Sequence, residues 1–394
     1  MSDSFYHGKE AYSTERSFKK ACSEGRLTER DQELIIEFTT ELQASKQISD
    51  GRVNKISFIL VNWRRFIQAP YDCVNIAMIY DAINKLKKGN SVKGKPFKQN
   101  TLHDYIRILK PFLLWLIENE YSNLPEKKIR KIVSPSVDYR TTEPDEILTV
   151  EEIERLLQGC QNTRDRALLA TLYESGARIA EIGRLRWRDV CFDDYGVRLY
   201  IDDQKNQKRR FARLTLSTQY LAIWKSDYPE DLLDDAPIFS SFKGGPMGYV
   251  TMTRSIQRAA KFAGITKRVN PHLFRKSRIT HMIAQGYQES VIKESMWGNV
   301  ETSMLRTYIQ LAEKDIDNEF LKQAGVKVED EGNSRQIAQT CGVCHMICGP
   351  TFRFCPKCGT GLSEKIVVEQ RLAKDQVEKH PYFKKGMKAA EDAI

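Results

Sequence analysis

Apolar residues recur at helical spacing through the first third of the chain. Thr28 and Asp31 form a capping-box pair ahead of Leu34, Ile35, Phe38 and Leu42. Val53, Ile56, Leu60, Trp63 and Ile67 make a second stripe, and Val74, Met78, Ile79, Ala82 and Leu86 a third. After a Gly- and Lys-rich loop (87–98), Leu102, Tyr105, Leu109, Phe112, Leu113 and Leu116 make a fourth, in which Pro111 is expected to kink the helix or start a new segment. Such stripes predict the core of a small helical bundle and by themselves mark no site. Pro125, Pro135 and Pro144 then punctuate a stretch that reads as a linker. Its basic cluster, Lys127, Lys128, Arg130 and Lys131, would suit a segment lying along DNA or a solvated tether equally well.

The pattern restarts at Thr149, where Thr149 and Glu152 match a capping box. Two helical patterns follow, the second stopping at Gly176, and a further helix begins near Ala177. Between Val190 and Leu216 the period shortens to that of strands. Val190–Phe192, Val197–Ile201 and Phe211–Leu216 read as strands, with Gly196 and the polar run Asp202–Arg210 as turns. Helical signals return from Val250 to about Ala324, followed by a polar stretch, a cysteine cluster and a charged tail.

A length of 394 residues accommodates two or three domains. The net charge of +10 favours a polyanionic partner such as nucleic acid. The N-terminus lacks the apolar core of a secretory signal, and no run is long enough to span a bilayer. The chain is therefore expected to be soluble and cytoplasmic, nucleoid-associated if it acts on DNA, with no membrane partner. Cys22, Cys73, Cys160 and Cys191 are scattered and expected to be free, buried thiols. The other five cysteines crowd into 341–358, which in a reducing compartment points to metal rather than disulfides.

Four local motifs carry the chemistry. In Gly176–Ala–Arg178–Ile–Ala–Glu181 an arginine follows a glycine break at a helix start, where it could clamp a phosphate, with Glu181 one turn on to orient it. Read alone, this is an ordinary i,i+3 surface pair. The run QKNQKRRFAR (204–213) holds Lys205, Lys208, Arg209, Arg210 and Arg213 without an acid. Between two strands it reads as a hairpin finger able to touch phosphates, and a lysine there could protonate a leaving oxygen. A solubilising hairpin tip is the plainer alternative. In NPHLFRKSRIT (270–280), His272 and Arg275 share a helix face that Pro271 starts, and both could bind one phosphate. In WGNVETSMLRTYIQL (297–311), Tyr308 could attack a phosphate if nearby cations stabilise its phenolate, although most of the 16 tyrosines must be structural.

Arranged as R…K…HxxR…Y from about Thr149 to Leu321, these motifs resemble the tyrosine recombinase (phage integrase) family, and the preceding bundle resembles that family's core-binding domain. The resemblance implies that Arg178 and Arg275 bind the scissile phosphate and that Lys205, with Lys208 as rival, assists the leaving group. It assigns acid/base work to His272, a supporting role to Glu181, and the nucleophile to Tyr308, which would form a 3′-phosphotyrosine and free a 5′-hydroxyl. Because the ester retains the bond energy, no cofactor is required for the strand transfer. Nine residues before Tyr308, where the family has His or Trp, this chain has Asn299, with Trp297 two residues earlier. Asn299 is assigned to that position, as a hydrogen-bond donor that cannot act as acid or base, with Trp297 as the alternative.

Cys341–Gly–Val–Cys344 and Cys355–Pro–Lys–Cys358 have the spacing of a zinc ribbon, with four thiolates closing a structural Zn2+ site; His345 and Cys348 are rival ligands. Some archaeal integrase-like proteins carry a similar C-terminal ribbon. The expected fold is multidomain and mainly α: an N-terminal extension (1–25), a helical, SAM-like core-binding bundle (26–124), a linker (125–148), an α+β catalytic domain with a small antiparallel sheet (149–325), a second linker (326–339), the zinc ribbon (340–362) and a charged C-terminal tail (363–394). The expected activity is site-specific cleavage and rejoining of duplex DNA by a homotetramer in a synaptic complex, with accessory DNA-bending proteins. The helix at 313–324 would pack between protomers. The rivals are a type IB topoisomerase, a catalytically silent DNA-binding regulator on the same fold, and a nucleic-acid-binding protein whose function lies in the ribbon.

Overall fold

A computed structural model of the chain describes residues 5, 13–91, 94–139, 143–203, 208–229, 231–241, 244–309, 339–344, 346–349, 352–355 and 358–379. It divides into two units: Gly8–Thr141, and Met1–His7 together with Thr142–Ile394.

The first unit is a helical bundle of α1 (Thr14–Ser23), α2 (Glu29–Lys46), α3 (Asp50–Trp63), α4 (Ile76–Lys88), α5 (Gln99–Glu118) and the short α6 (Glu126–Arg130). The reciprocal Thr28–Asp31 capping box starts α2. Asp31 is wholly buried and also accepts from the Tyr71 backbone N–H at 2.8 Å and lies 3.0 Å from Arg64 Nε, so one carboxylate ties the cap to the loop after α3. Trp63, Tyr71 and Phe112 fill the centre. Helix α1 lies in the stretch expected to be an extension, yet Phe18 and Ala21 enter this core; likewise Ile129 of α6, within the expected linker, is fully buried. Helix α5 runs through Pro111 as one element, so no new segment starts there. Pro111 is exposed while Phe112, Leu113, Trp115 and Leu116 are buried, so packing holds the helix where one backbone hydrogen bond is missing.

The second unit opens with α7 (Val150–Gln158), capped by Thr149 and Glu152, and α8 (Thr163–Ser175). The four-residue α9 (Ile179–Ile182) follows, then a meander of β1 (Val190–Asp193), β2 (Gly196–Asp203) and β3 (Lys208–Leu214), then α10 (Ser217–Ser226), α11 (Tyr249–Phe262), α12 (Pro271–Ala284), α13 (Glu289–Trp297) and α14 (Arg306–Ile309). The antiparallel register runs from Val197 opposite Leu214 to Asp203 opposite Lys208. Strands therefore extend into both ends of the run expected to be a turn. Gly196 has φ +117, and a Cβ there would lie 2.3 Å from the Leu214 carbonyl oxygen, so the tight turn requires glycine. The core is lined by α8, which is buried along nearly its whole length. Its Glu174 carboxylate accepts hydrogen bonds from the backbone of Thr215, Leu216 and Ser217 and from the hydroxyls of Thr215 and Ser217, which fixes the sheet's exit into α10. Phe5 packs edge-on to Tyr249 in the same core.

A two-stranded ladder, β4 (Gln339–Thr340) and β5 (Ile347–Cys348), carries the cysteine cluster, and α15 (Glu364–Lys379) forms within the stretch expected to be a tail. Phe352 of this segment lies 5.7 Å, ring to ring, from Tyr220 of α10. Residues 310–338, including the helix expected at 313–324, lie outside the described residues. Of the four scattered cysteines only Cys160 is buried. Cys22 is half-buried, Cys73 is exposed in a 3-10 turn between the buried Tyr71 and Val74, and Cys191 is exposed on the edge strand β1. No described helix is long and apolar enough to cross a membrane.

His281 of α12 sits 2.8 Å from Tyr173 Oη, and burial, followed by the charge of Arg278, lowers its pKa to about 4. The unfolded chain therefore takes up this proton first, near pH 6.5. Stability should be fully present above that value and be lost by about 3 kcal/mol as pH falls to about 4. Urea unfolding between pH 7 and 4.5 should show a smaller loss in His281→Phe than in wild type; equal slopes would exclude His281 as the cause.

Candidate active site

Arg275 is the most constrained member of the predicted set. Asn270 caps α12 through the Leu273 N–H and Pro271 takes the first turn, which projects Arg275 into the domain, where it is 4% exposed. Its Nη1 donates to the Gly176 carbonyl at 2.6 Å and its Nη2 to the Met296 carbonyl at 2.9 Å. Its guanidinium lies 5.1 Å from the Trp297 ring centroid. Burial, then the charges of Arg178 and Arg210, lowers its pKa to about 10, still well above neutrality.

Gly176 ends α8 in the left-handed conformation, φ +56, and turns the chain so that Arg178 precedes α9. Glu181 reaches back: Oε2 accepts from the Arg178 backbone N–H at 2.8 Å, and Oε1 from Arg178 Nη1 at 2.6 Å. The Arg178 side chain is 39% exposed, so Glu181 orients a guanidinium that still faces solvent.

The Tyr308 side chain belongs to a small apolar cluster with Ile279, Met282, Ile292, Met296, Trp297 and Leu305, and its ring centroid is 6.0 Å from that of Trp297. Burial raises the phenol's pKa, while Arg275 and then Arg178 pull it back down. The two arginines thus act on the hydroxyl against the larger effect of burial. His272 is exposed on the first turn of α12, and partial desolvation, followed by the charges of Arg275, Lys276 and Arg178, lowers its pKa, which favours a neutral imidazole at pH 7. The structure therefore brings Arg178, His272, Arg275 and Tyr308 together. Asn299 is exposed and its Oδ1 accepts from the Glu301 N–H at 2.9 Å, whereas Trp297 touches both Arg275 and Tyr308. Lys205 lies outside the described residues, and Lys208 begins β3.

The basic finger behaves differently from its sequence reading. Arg209 lies over Tyr200 and pairs with Asp189 at 3.2 Å, and Arg213 pairs with Asp193 at 2.6 Å. Arg210 turns inward and is 4% exposed. Strand alternation from the buried Ala212 and Leu214 was the available signal, since it puts Arg210 on the core face.

In the cysteine cluster, the Sγ atoms of Cys341, Cys344, Cys355 and Cys358 all lie within 4.8 Å of one another, with Cys341 and Cys358 3.5 Å apart and Cys344 and Cys355 3.4 Å apart. Four thiols so placed fit a metal ion: metal–sulfur bonds of about 2.3 Å at tetrahedral angles set sulfurs about 3.8 Å apart. Cys348 is buried beside them but outside the set of four, and His345 is not described.

Residues 146–315, which hold this entire cationic site, match the model of the phage integrase family. Transposase A from transposon Tn554 of Staphylococcus aureus is 27% identical over 191 residues, 44% of this chain and 51% of that protein. Tyrosine recombinase XerA of Saccharolobus solfataricus is 26% identical over 237 residues, 60% of this chain and 72% of that protein. The chain thus spans about half the length of the Tn554 transposase. In fold it is similar to a lambda integrase dimer bound to a COC′ core site, with a TM-score of 0.55 and 15% identity over 70% of this chain and 76% of that one. It is also similar to the XerH site-specific recombinase bound to palindromic difH substrate, with a TM-score of 0.55 and 16% identity over 82% of this chain and 90% of that one. The described residues therefore have the mainly α architecture with a small antiparallel sheet expected from the sequence.

Gly176 is the hinge of the site. A Cβ there would lie 2.5 Å from Met296 Sδ and would occupy a left-handed conformation. Gly176→Ala should therefore cost about 1–3 kcal/mol of stability, read as a lower urea midpoint.

Proposed function

We propose that this protein is a site-specific DNA recombinase that cleaves and rejoins duplex DNA through a 3′-phosphotyrosine. The observation that carries the reading is Arg275: a buried guanidinium whose hydrogen bonds go to two carbonyl oxygens, Gly176 and Met296, beside a tyrosine hydroxyl. Its hydrogen-bond acceptors are neutral, and Glu181, the carboxylate that acts on it, is itself paired with Arg178 and Arg210, so a phosphate oxyanion adds the charge compensation that normally accompanies burial. The half-exposed Arg178 offers a second cation to the same anion.

In this reading Arg178 and Arg275 bind the non-bridging oxygens of the scissile phosphate and stabilise the pentacoordinate transition state. The Tyr308 oxygen forms the new bond to phosphorus as the bond to the 5′-oxygen breaks. His272, whose surroundings favour the neutral imidazole, acts in acid/base catalysis and can accept the phenol's proton. Lys205, with Lys208 as the alternative, protonates the departing 5′-oxygen. Asn299 is the residue at the sixth position by sequence order, while the contacts of Trp297 favour the indole there. Reversal with another strand's 5′-hydroxyl rejoins DNA without ATP or metal. Strand exchange of this kind calls for four protomers on duplex DNA. The four thiols would hold one Zn2+ in a structural role.

A nicked suicide substrate should trap wild-type protein covalently at a 3′-phosphate, and Tyr308→Phe should abolish the adduct; an adduct that survives this change would refute the nucleophile. Arg178→Ala and Arg275→Ala should each slow cleavage by about 10²–10³-fold. Tight duplex binding by wild type with no adduct on any substrate would instead identify a silent DNA binder. Metal analysis should find one zinc per chain, lost in Cys341→Ser; purified protein free of zinc would overturn the ribbon.

A further inference from the structure

We infer that Arg210 is a positioning residue for both phosphate-binding arginines, an inference that rests on the strand-transfer reading above. Arg210 lies on the inward face of β3. Its Nη2 donates to Glu181 Oε2 at 2.7 Å and its Nη1 to the Ser295 carbonyl at 2.7 Å. Each contact leads to one clamp. The other oxygen of Glu181 holds the Arg178 guanidinium, and the residue after Ser295 is Met296, whose carbonyl holds Arg275. One buried guanidinium thus spans the short α9 turn and the end of α13, and ties both to the hairpin that carries the leaving-group lysine. Gly298, at the end of α13, comes close to the same side chain: a Cβ there would lie 3.5 Å from Arg210 Cβ.

Electrostatics adds a second effect. Glu181 is 7% exposed and faces two cations, one on each oxygen. If Arg178 had this carboxylate to itself, the buried pair would bind more tightly and offer less positive charge to a phosphate. Arg210 draws Glu181 to its other side and so preserves the charge that Arg178 presents. Both effects need the planar fork of arginine. A lysine ammonium keeps the charge but cannot hold two acceptors in this fixed geometry.

The test is single-turnover cleavage of the suicide substrate at saturating DNA, alongside duplex affinity and melting temperature. Arg210→Met should cleave about 10- to 100-fold more slowly, less than the loss of a donor that touches the phosphate, with DNA affinity near that of wild type. Adding Glu181→Gln removes the carboxylate that Arg210 draws away, so Arg210→Met/Glu181→Gln should cleave faster than the product of the two single effects predicts. A merely structural ion pair would show that coupling in the melting temperature, so the signature of positioning is coupling in the cleavage rate at an unchanged melting temperature. Wild-type cleavage by Arg210→Met, or additive losses in the double variant, would overturn the inference. If Arg210→Met fails to fold, Arg210→Lys decides the matter: slowed cleavage at an unchanged melting temperature supports the bridging role, and a wild-type rate overturns it. Absence of any adduct in wild-type protein would instead overturn the strand-transfer reading itself.

Discussion

A guanidinium removed from water must have its acceptors fixed in advance, and Arg275 meets that condition through two backbone carbonyls that come from distant parts of the chain. Gly176 offers its carbonyl because α8 ends there in a left-handed turn. Met296 offers its own because α13 ends two residues later at Gly298, also left-handed, with φ +61. Helix termini leave carbonyls without intrahelical partners. The domain uses two such ends, α8 and α13, to hold one cation contributed by α12. The Met296 side chain packs against Gly176, where a Cβ would lie 2.5 Å from its Sδ.

The other charged groups are arranged around that fixed point. Glu181 ties the Arg178 backbone and side chain to the α9 turn, and Arg210 connects Glu181 to Ser295, next to one of the Arg275 acceptors. Glu174, at the end of α8, fixes the exit of the hairpin that carries Arg210. The result is a rigid cationic surface beside a phenol whose apolar cluster keeps it protonated until a nearby charge intervenes. Rigid placement of this kind means that little reorganisation is needed when an anion arrives. It also explains why Tyr308 sits among Met296, Trp297 and Leu305 rather than in open solvent.

Helix positions were legible wherever one apolar stripe met one packed neighbour, as in α2, α5, α7 and α12. The limits of the bundle were less so. The apolar pairs that bring in α1 and α6, such as Phe18 with Ala21, are too short to show a period, so only their burial reveals them. Pro111 has a strong local bias against helix, but the buried residues on its C-terminal side outweigh the one hydrogen bond it removes.

The sequence by itself singled out the residues. Arg178, His272, Arg275 and Tyr308 stand in four motifs whose order resembles one family, and four cysteines in two close pairs have the spacing of a metal-binding set. Only the tertiary structure decided how the charges are distributed. Arg210 belongs to a run of cations that looks solvent-facing in sequence, yet it is an internal brace, because a two-residue strand period within so short a run is easily hidden by its composition. Spacing from Tyr308 points to Asn299, but the αL turn at Gly298 directs Asn299 into its own turn and leaves Trp297 against Arg275. Sequence spacing counts residues along a helix, and it stops predicting direction where a left-handed residue turns the chain.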